Sequence, residues 1–131
     1  MLAAALAAGV ATATAEAADV MKAPPADPYK KVSSLVKLPD FIPGLGQLYV
    51  DPSTLPAGPF LAYDKQGKFV STIYMIPLED LDAHKGFEDL KAFGKVDHTD
   101  LYFNAGHPGV EKPHYHIVLW AIPESEAEKL K

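Results

Sequence analysis

Four of the five histidines in this 131-residue chain fall inside one stretch, DHTDLYFNAGHPGVEKPHYHIVLW, from Asp97 to Trp120. Neutral imidazoles are the commonest nitrogen ligands for zinc, copper and nickel, so the grouping points first to a divalent transition metal. Alternate side chains of a β-strand share a face. His114 and His116, in an H-x-H pattern, therefore point the same way together with Val118 and Trp120, while Tyr115, Ile117 and Leu119 point oppositely. On the preceding strand His98, Asp100 and Tyr102 share a face. Antiparallel pairing of the two strands would carry His98 and Asp100 towards His114 and His116 or their neighbours. A third nitrogen from His98 or His107 completes a three-histidine set. Asp100 or Glu111 then serves as fourth ligand, or as an acceptor that fixes an imidazole tautomer. Three protein ligands leave a position open for water or a small-molecule ligand. Two other readings compete. Trp120 on the same face suits ordinary sheet packing, and the imidazoles could do acid–base chemistry without metal. His84 lies in a helical segment and reads as a solvated residue.

Other chemistries find little support. There is no cysteine, which removes thiolate metal sites, thiol nucleophiles and redox pairs together. Ser33, Ser34, Ser53, Ser71 and Ser125 lie in no G-x-S-x-G elbow. Gly44-Leu45-Gly46 lacks the strand–loop–helix setting and following lysine of a phosphate cradle. The cupin pattern also starts with H-x-H, but Leu119, Trp120 and Ala121 occupy the region where its glutamate is expected. Glu79 and Asp82 share a helix face, with no further sign of acid–base chemistry in the sequence. The net charge is −5 and arginine is absent, which argues against nucleic acid and anionic membrane surfaces as partners.

The elements that must position the histidines are legible further back. The chain begins with an almost uncharged run rich in Ala, Leu, Val and Thr, too weakly apolar to insert in a membrane, with small residues at Ala13-Thr14-Ala15 and Ala15-Glu16-Ala17. Residues 1–17 read as a secretory signal peptide, which implies a secreted or periplasmic protein. Residues 18–34 are rich in proline without periodicity and read as an extended linker or arm. Residues 35–131 form the expected single domain, and a mature chain of roughly 110 residues buries about two-thirds of its unfolded surface. Leu48 to Val50 suits a short strand. Phe60 to Tyr63 and Phe69 to Ile76, rich in aromatic and β-branched residues, flank a polar loop with Gly67 and predict a hairpin. Apolar spacing at Leu78, Leu81, Phe87, Leu90 and Phe93 predicts a helix stopped by Gly94 and kinked or broken at Gly86. His107-Pro108-Gly109 predicts a type II turn, and Lys112 before Pro113 is held extended, launching the last strand. Pro123 opens a short terminal helix. The predicted fold is α+β: a mainly antiparallel sheet with one or two short helices and a Pro-rich N-terminal arm.

Gly106-His107-Pro108, followed by Pro113-His114-Tyr115-His116, resembles an uncharacterised family of secreted bacterial proteins. Members carry a Gly-His-Pro-Pro turn and then a Pro-His-Phe-Asp-Phe-His strand. The hairpin YDKQGKFVSTIYMIP is also similar to that family's central strands, so the resemblance spans about half of the mature chain. It departs at His116, where the family has Asp, at Val118, where the family's second strand histidine falls, and at Tyr102, which replaces another histidine. The resemblance implies metal ligation at His98, His107 and His114, with His116 compensating for Val118 from the same face. It also implies a secreted metal-site protein assembled as a ring-like homo-oligomer, and it supplies no reaction.

These readings converge on a secreted or periplasmic binding module with a metal site drawn from His98, His107, His114, His116 and Asp100. The runner-up is a small metal-dependent enzyme that activates water at an open position. A third reading is an oligomeric assembly protein with incidental histidines.

Overall fold

The computed structural model describes residues 20–131. The expected signal peptide at 1–17 lies outside the described residues. Six strands form one antiparallel sheet in the order β1-β2-β3-β4-β6-β5. They are β1 (Lys30–Lys31), β2 (Gln47–Val50), β3 (Phe60–Tyr63), β4 (Phe69–Pro77), β5 (His98–Asn104) and β6 (His114–Trp120). Two short helices accompany them, α1 (Leu78–Asp82) and α2 (Glu124–Ala127). The architecture is the expected α+β domain on an antiparallel sheet. No helix among the described residues is long and apolar enough to cross a membrane.

The β3–β4 hairpin forms where aromatic and β-branched residues flank the polar loop. Asp64 fixes that loop, its carboxylate accepting from the backbone N–H groups of Gln66 and Lys68 at 2.9 Å each. β4 occupies the middle of the sheet and is buried along its whole length, between β3 and β6.

Each face of the sheet carries its own apolar cluster. Ile73 and Met75 of β4, Val118 and Trp120 of β6 and Phe60 of β3 belong to the larger one. Val36, Leu38, Phe41, Ile42 and Leu45, from the irregular segment before β2, pack against it. The other face buries Tyr49, Leu61, Tyr63 and Phe69, with Val20, Met21, Ala23 and Tyr29 from the chain ahead of β1.

One expected element is corrected. The predicted helix over Leu78 to Phe93 ends at Asp82. His84 follows with a positive φ of 62° and Asp89 with one of 60°, so the backbone leaves helical geometry twice. The rest of the segment is tied to β4 instead. The Tyr74 hydroxyl donates to the Lys91 carbonyl at 2.7 Å, and the Phe93 N–H donates to Thr72 Oγ1 at 3.0 Å. These long-range bonds and the packing of Phe93 on Tyr29 override a helical periodicity that Gly86 had already weakened.

The β5–β6 register sets the site. Tyr102 pairs with His116, Asn104 with His114, Asp100 with Val118 and His98 with Trp120. β6 alternates buried and half-buried residues, and its buried face carries both histidines.

A candidate three-histidine metal centre

His114 and His116 reach the larger core face because β6 alternates, and His107 reaches them because the loop ahead of β6 folds back tightly. At His107-Pro108-Gly109-Val110 the His107 carbonyl accepts from the Val110 N–H at 3.0 Å, and the reverse bond has the same length. Gly109 has φ 93°, the value a type II turn demands at its third residue. Upstream, the Asn104 side chain accepts from the Gly106 N–H at 2.8 Å. Gly106 has φ 130°, and a Cβ there would stand 2.3 Å from the Glu111 carbonyl oxygen. The close approach of these two backbone segments requires glycine. Together these features aim the His107 ring at β6.

The three rings meet through their Nε2 atoms. His114 Nε2 lies 2.9 Å from His116 Nε2 and 3.2 Å from His107 Nε2. One ligand nitrogen from each residue lies within 4.8 Å of the others. Three nitrogens on a tetrahedral zinc stand about 3.3 Å apart, given Zn–N bonds of about 2.0–2.1 Å. The two short separations suit donors that share one cation.

Each Nδ1 has its own partner. His114 Nδ1 donates to the Lys112 carbonyl at 2.7 Å, and His107 Nδ1 donates to the Pro108 carbonyl at 3.1 Å. His116 Nδ1 lies 3.2 Å from the Tyr102 hydroxyl. A carbonyl can only accept, so neutral His107 and His114 carry their protons on Nδ1 and present bare lone pairs at Nε2. Those lone pairs face each other at 3.2 Å. The arrangement is repulsive until a proton or a metal cation comes between them.

Burial works against the proton. His114 is fully buried and His116 is 3 % exposed. Burial holds the His114 pKa below its ordinary value, and nearby His107 depresses it further against the opposing bond to the Lys112 carbonyl. Burial likewise pushes His116 down to about 4, with His114 and His107 adding to the effect. Neutral imidazoles with oriented Nε2 lone pairs are the form a metal requires. The cluster could hold a metal ion.

A cavity of about 350 Å³ adjoins the cluster. His107, His116, Tyr102 and Asn104 form one wall, and apolar side chains such as Val36, Leu38, Leu48, Phe60 and Met75 form much of the rest. The space owes its shape to the irregular segment ahead of β2, whose chemistry gave no signal in the sequence.

The structure brings together His107, His114 and His116 and leaves His98 and Asp100 elsewhere. In the observed register His98 lies four residues from Tyr102 along β5, about 13 Å at strand rise. Its ring stacks on Trp120, with centroids 6.0 Å apart, and its Nδ1 pairs with Asp97 at 2.9 Å. Asp100 accepts from the Trp120 indole N–H at 2.9 Å. Glu111 is exposed and outside the cluster. Exposed His84 stands apart from it, as its reading as a solvated residue expects. Sequence reasoning missed Tyr102 as the partner of His116; the signal was its place on the shared face.

No protein-family model matches the chain, and no curated protein does. Among solved structures, the crystal structure of a hypothetical protein from Thermus thermophilus is similar over 71 % of this chain and 92 % of that one. The two share 44 % sequence identity and superpose with a TM-score of 0.64.

Proposed function

The chain belongs to the family of the Thermus thermophilus hypothetical protein, and we propose that it is a binding module whose His107, His114 and His116 hold a divalent transition metal. Zinc, copper and nickel are the metals whose chemistry suits three imidazole nitrogens. One observation carries the reading: two buried-side Nε2 lone pairs, fixed by carbonyl partners on the opposite ring nitrogens, face each other at 3.2 Å. A cation resolves that contact, and the surrounding core disfavours a proton in the same place.

Binding is preferred to hydrolysis because of what surrounds the metal position. Among the described residues the cavity wall carries no Asp, Glu or Lys to act as general base or acid beside a metal-bound water. Elemental analysis of the purified protein, before and after chelation, tests the proposal. One equivalent of metal that the chelator removes and added zinc, copper or nickel restores is the expected result. A protein that takes up none of these would overturn it.

A secreted or periplasmic location is part of the proposal, supported by the Ala-rich stretch and its small-residue cleavage options. Intact-mass measurement on protein recovered from its native host should show loss of about 15–18 residues, as signal-peptide logic requires. A mature chain that retains Met1 and stays in the cytoplasm would exclude export.

A further inference from the structure

The cavity next to the three imidazoles differs from an ordinary packing defect in its chemistry. It measures about 350 Å³, within the range of small-molecule sites, which run from about 300 to 1,000 Å³. Its body is aliphatic and aromatic, from Val36, Leu38, Leu45, Leu48, Phe60 and Met75. Its polar side chains, Tyr102, Asn104, His107 and His116, form one wall, since Tyr102 pairs with His116 across the strands and the His107 and His116 ring centroids are 5.5 Å apart. His114 is fully buried and outside that wall. A metal on the three Nε2 atoms thus borders the cavity through His107 and His116, with protein behind it on the His114 side.

Charge narrows the occupant. Three neutral imidazoles leave a divalent metal with its full double positive charge. Among the described residues no carboxylate lines the cavity to offset it, and no ammonium lines it to pair with a second anionic group. The complement is a molecule with one anionic head and an uncharged apolar body.

Metal binding also changes what Tyr102 offers. Once Nε2 of His116 ligates, that neutral imidazole carries its proton on Nδ1, 3.2 Å from the Tyr102 hydroxyl oxygen. Nδ1–H then donates to Tyr102, and the hydroxyl hydrogen is free to donate in turn. That hydroxyl stands on the Nδ1 side of the ring, away from the metal position at Nε2, so Tyr102 holds the ligating imidazole and a carboxylate head meets the metal itself.

We infer that the cavity is a binding site for a small apolar monocarboxylate, aliphatic or aromatic, whose head completes the metal's coordination. The inference rests on the three-histidine metal reading, and the test separates the two. Cobalt(II) is loaded into the full chain, its visible absorption is recorded, and straight-chain carboxylates from acetate to octanoate are titrated. Each added methylene should tighten binding about fourfold until the cavity is full, so octanoate should exceed acetate by at least about 100-fold. Octan-1-ol lacks the charge and octanedioate adds a second one. Both should bind at least about tenfold more weakly than octanoate, in line with the cost of burying an unmatched polar group. If cobalt does not bind, the metal reading fails and the ligand inference falls with it. If cobalt binds but acetate and octanoate act alike, or the diacid equals the monoacid, the ligand inference alone is overturned.

Discussion

The imidazoles of His114 and His116 lean together until their Nε2 atoms are 2.9 Å apart, although alternate residues of a strand are separated by about 6.6 Å. Their planes differ by 32°, and the His107 ring closes on His114 at 83°. If this convergence is the metal site, metal should raise the melting temperature. Free metal at about 100 times its dissociation constant adds roughly 2.7 kcal/mol to the folded state. His114→Ala should abolish the shift, since it removes the nitrogen that approaches both others. His84→Ala, in the exposed segment after α1, should retain it. Thermal melts of the two variants and the parent, each with and without zinc, decide the matter. Equal shifts in all three would place the binding elsewhere.

Tyr102 stands at Nδ1 of His116, on the opposite ring nitrogen from the Nε2 that enters the cluster. Replacing it with Phe removes the oxygen beside Nδ1 and should weaken metal affinity by about tenfold or more, the usual effect of losing such a partner. His98→Ala and Asp100→Asn test the sequence-based ligand set against the observed one. Competition titrations with a chromogenic chelator should give parent-like affinity for both variants. A large loss in either would bring β5's far end back into the site.

The parts of this site that were readable in the sequence are those set by local rules. Strand alternation puts His114 and His116 on one face, and Pro108-Gly109 after His107 dictates the tight turn that returns it to them. Alternation says nothing about distance along a partner strand. His98 and Asp100 share the correct face, but the path from Asn104 to His114 sets the register and places Tyr102 opposite His116 instead. The helix expected to Phe93 failed for a related reason. Tyr74 and Thr72 capture its second half through contacts 17 and 21 residues apart in the chain, which no local window contains. The cavity was illegible because irregular chain around Val36 and Leu45 helps to build it, and such segments have no periodicity to read.

Gly106 offers a test of how the turn holds His107. Its φ of 130° and the 2.3 Å approach of a would-be Cβ to the Glu111 carbonyl leave no room for a side chain. Gly106→Ala should cost on the order of 1–3 kcal/mol, the range for strained backbone positions. Metal affinity should fall as well, because the displaced loop carries one of the three nitrogens. Urea unfolding without metal and chelator competition with metal separate the two effects. Unchanged affinity in a destabilised variant would show that His107 finds its place without the turn.

The last prediction concerns acid and the metal-free protein. An unfolded histidine titrates near about 6.5, whereas burial holds folded His116 at about 4 and lowers His114 in the same direction. Between those two values the unfolded chain binds a proton at His116 that the folded chain refuses. Unfolding is therefore favoured as pH falls, by up to about 1.4 kcal/mol per pH unit for each such proton. Stability from this source is complete above about pH 6.5 and lost as pH falls towards about 4. Asp27 does not confuse the window, because the Lys30 hydrogen bond and charge lower its pKa below 3.8 and its contribution fades only in stronger acid. Urea unfolding of the chelated protein at intervals from pH 7 to pH 4.5 should show a decline that His114→Gln/His116→Gln flattens, since amide side chains do not titrate. Parallel declines in parent and double variant would mean that these imidazoles are not the groups that take up protons on unfolding.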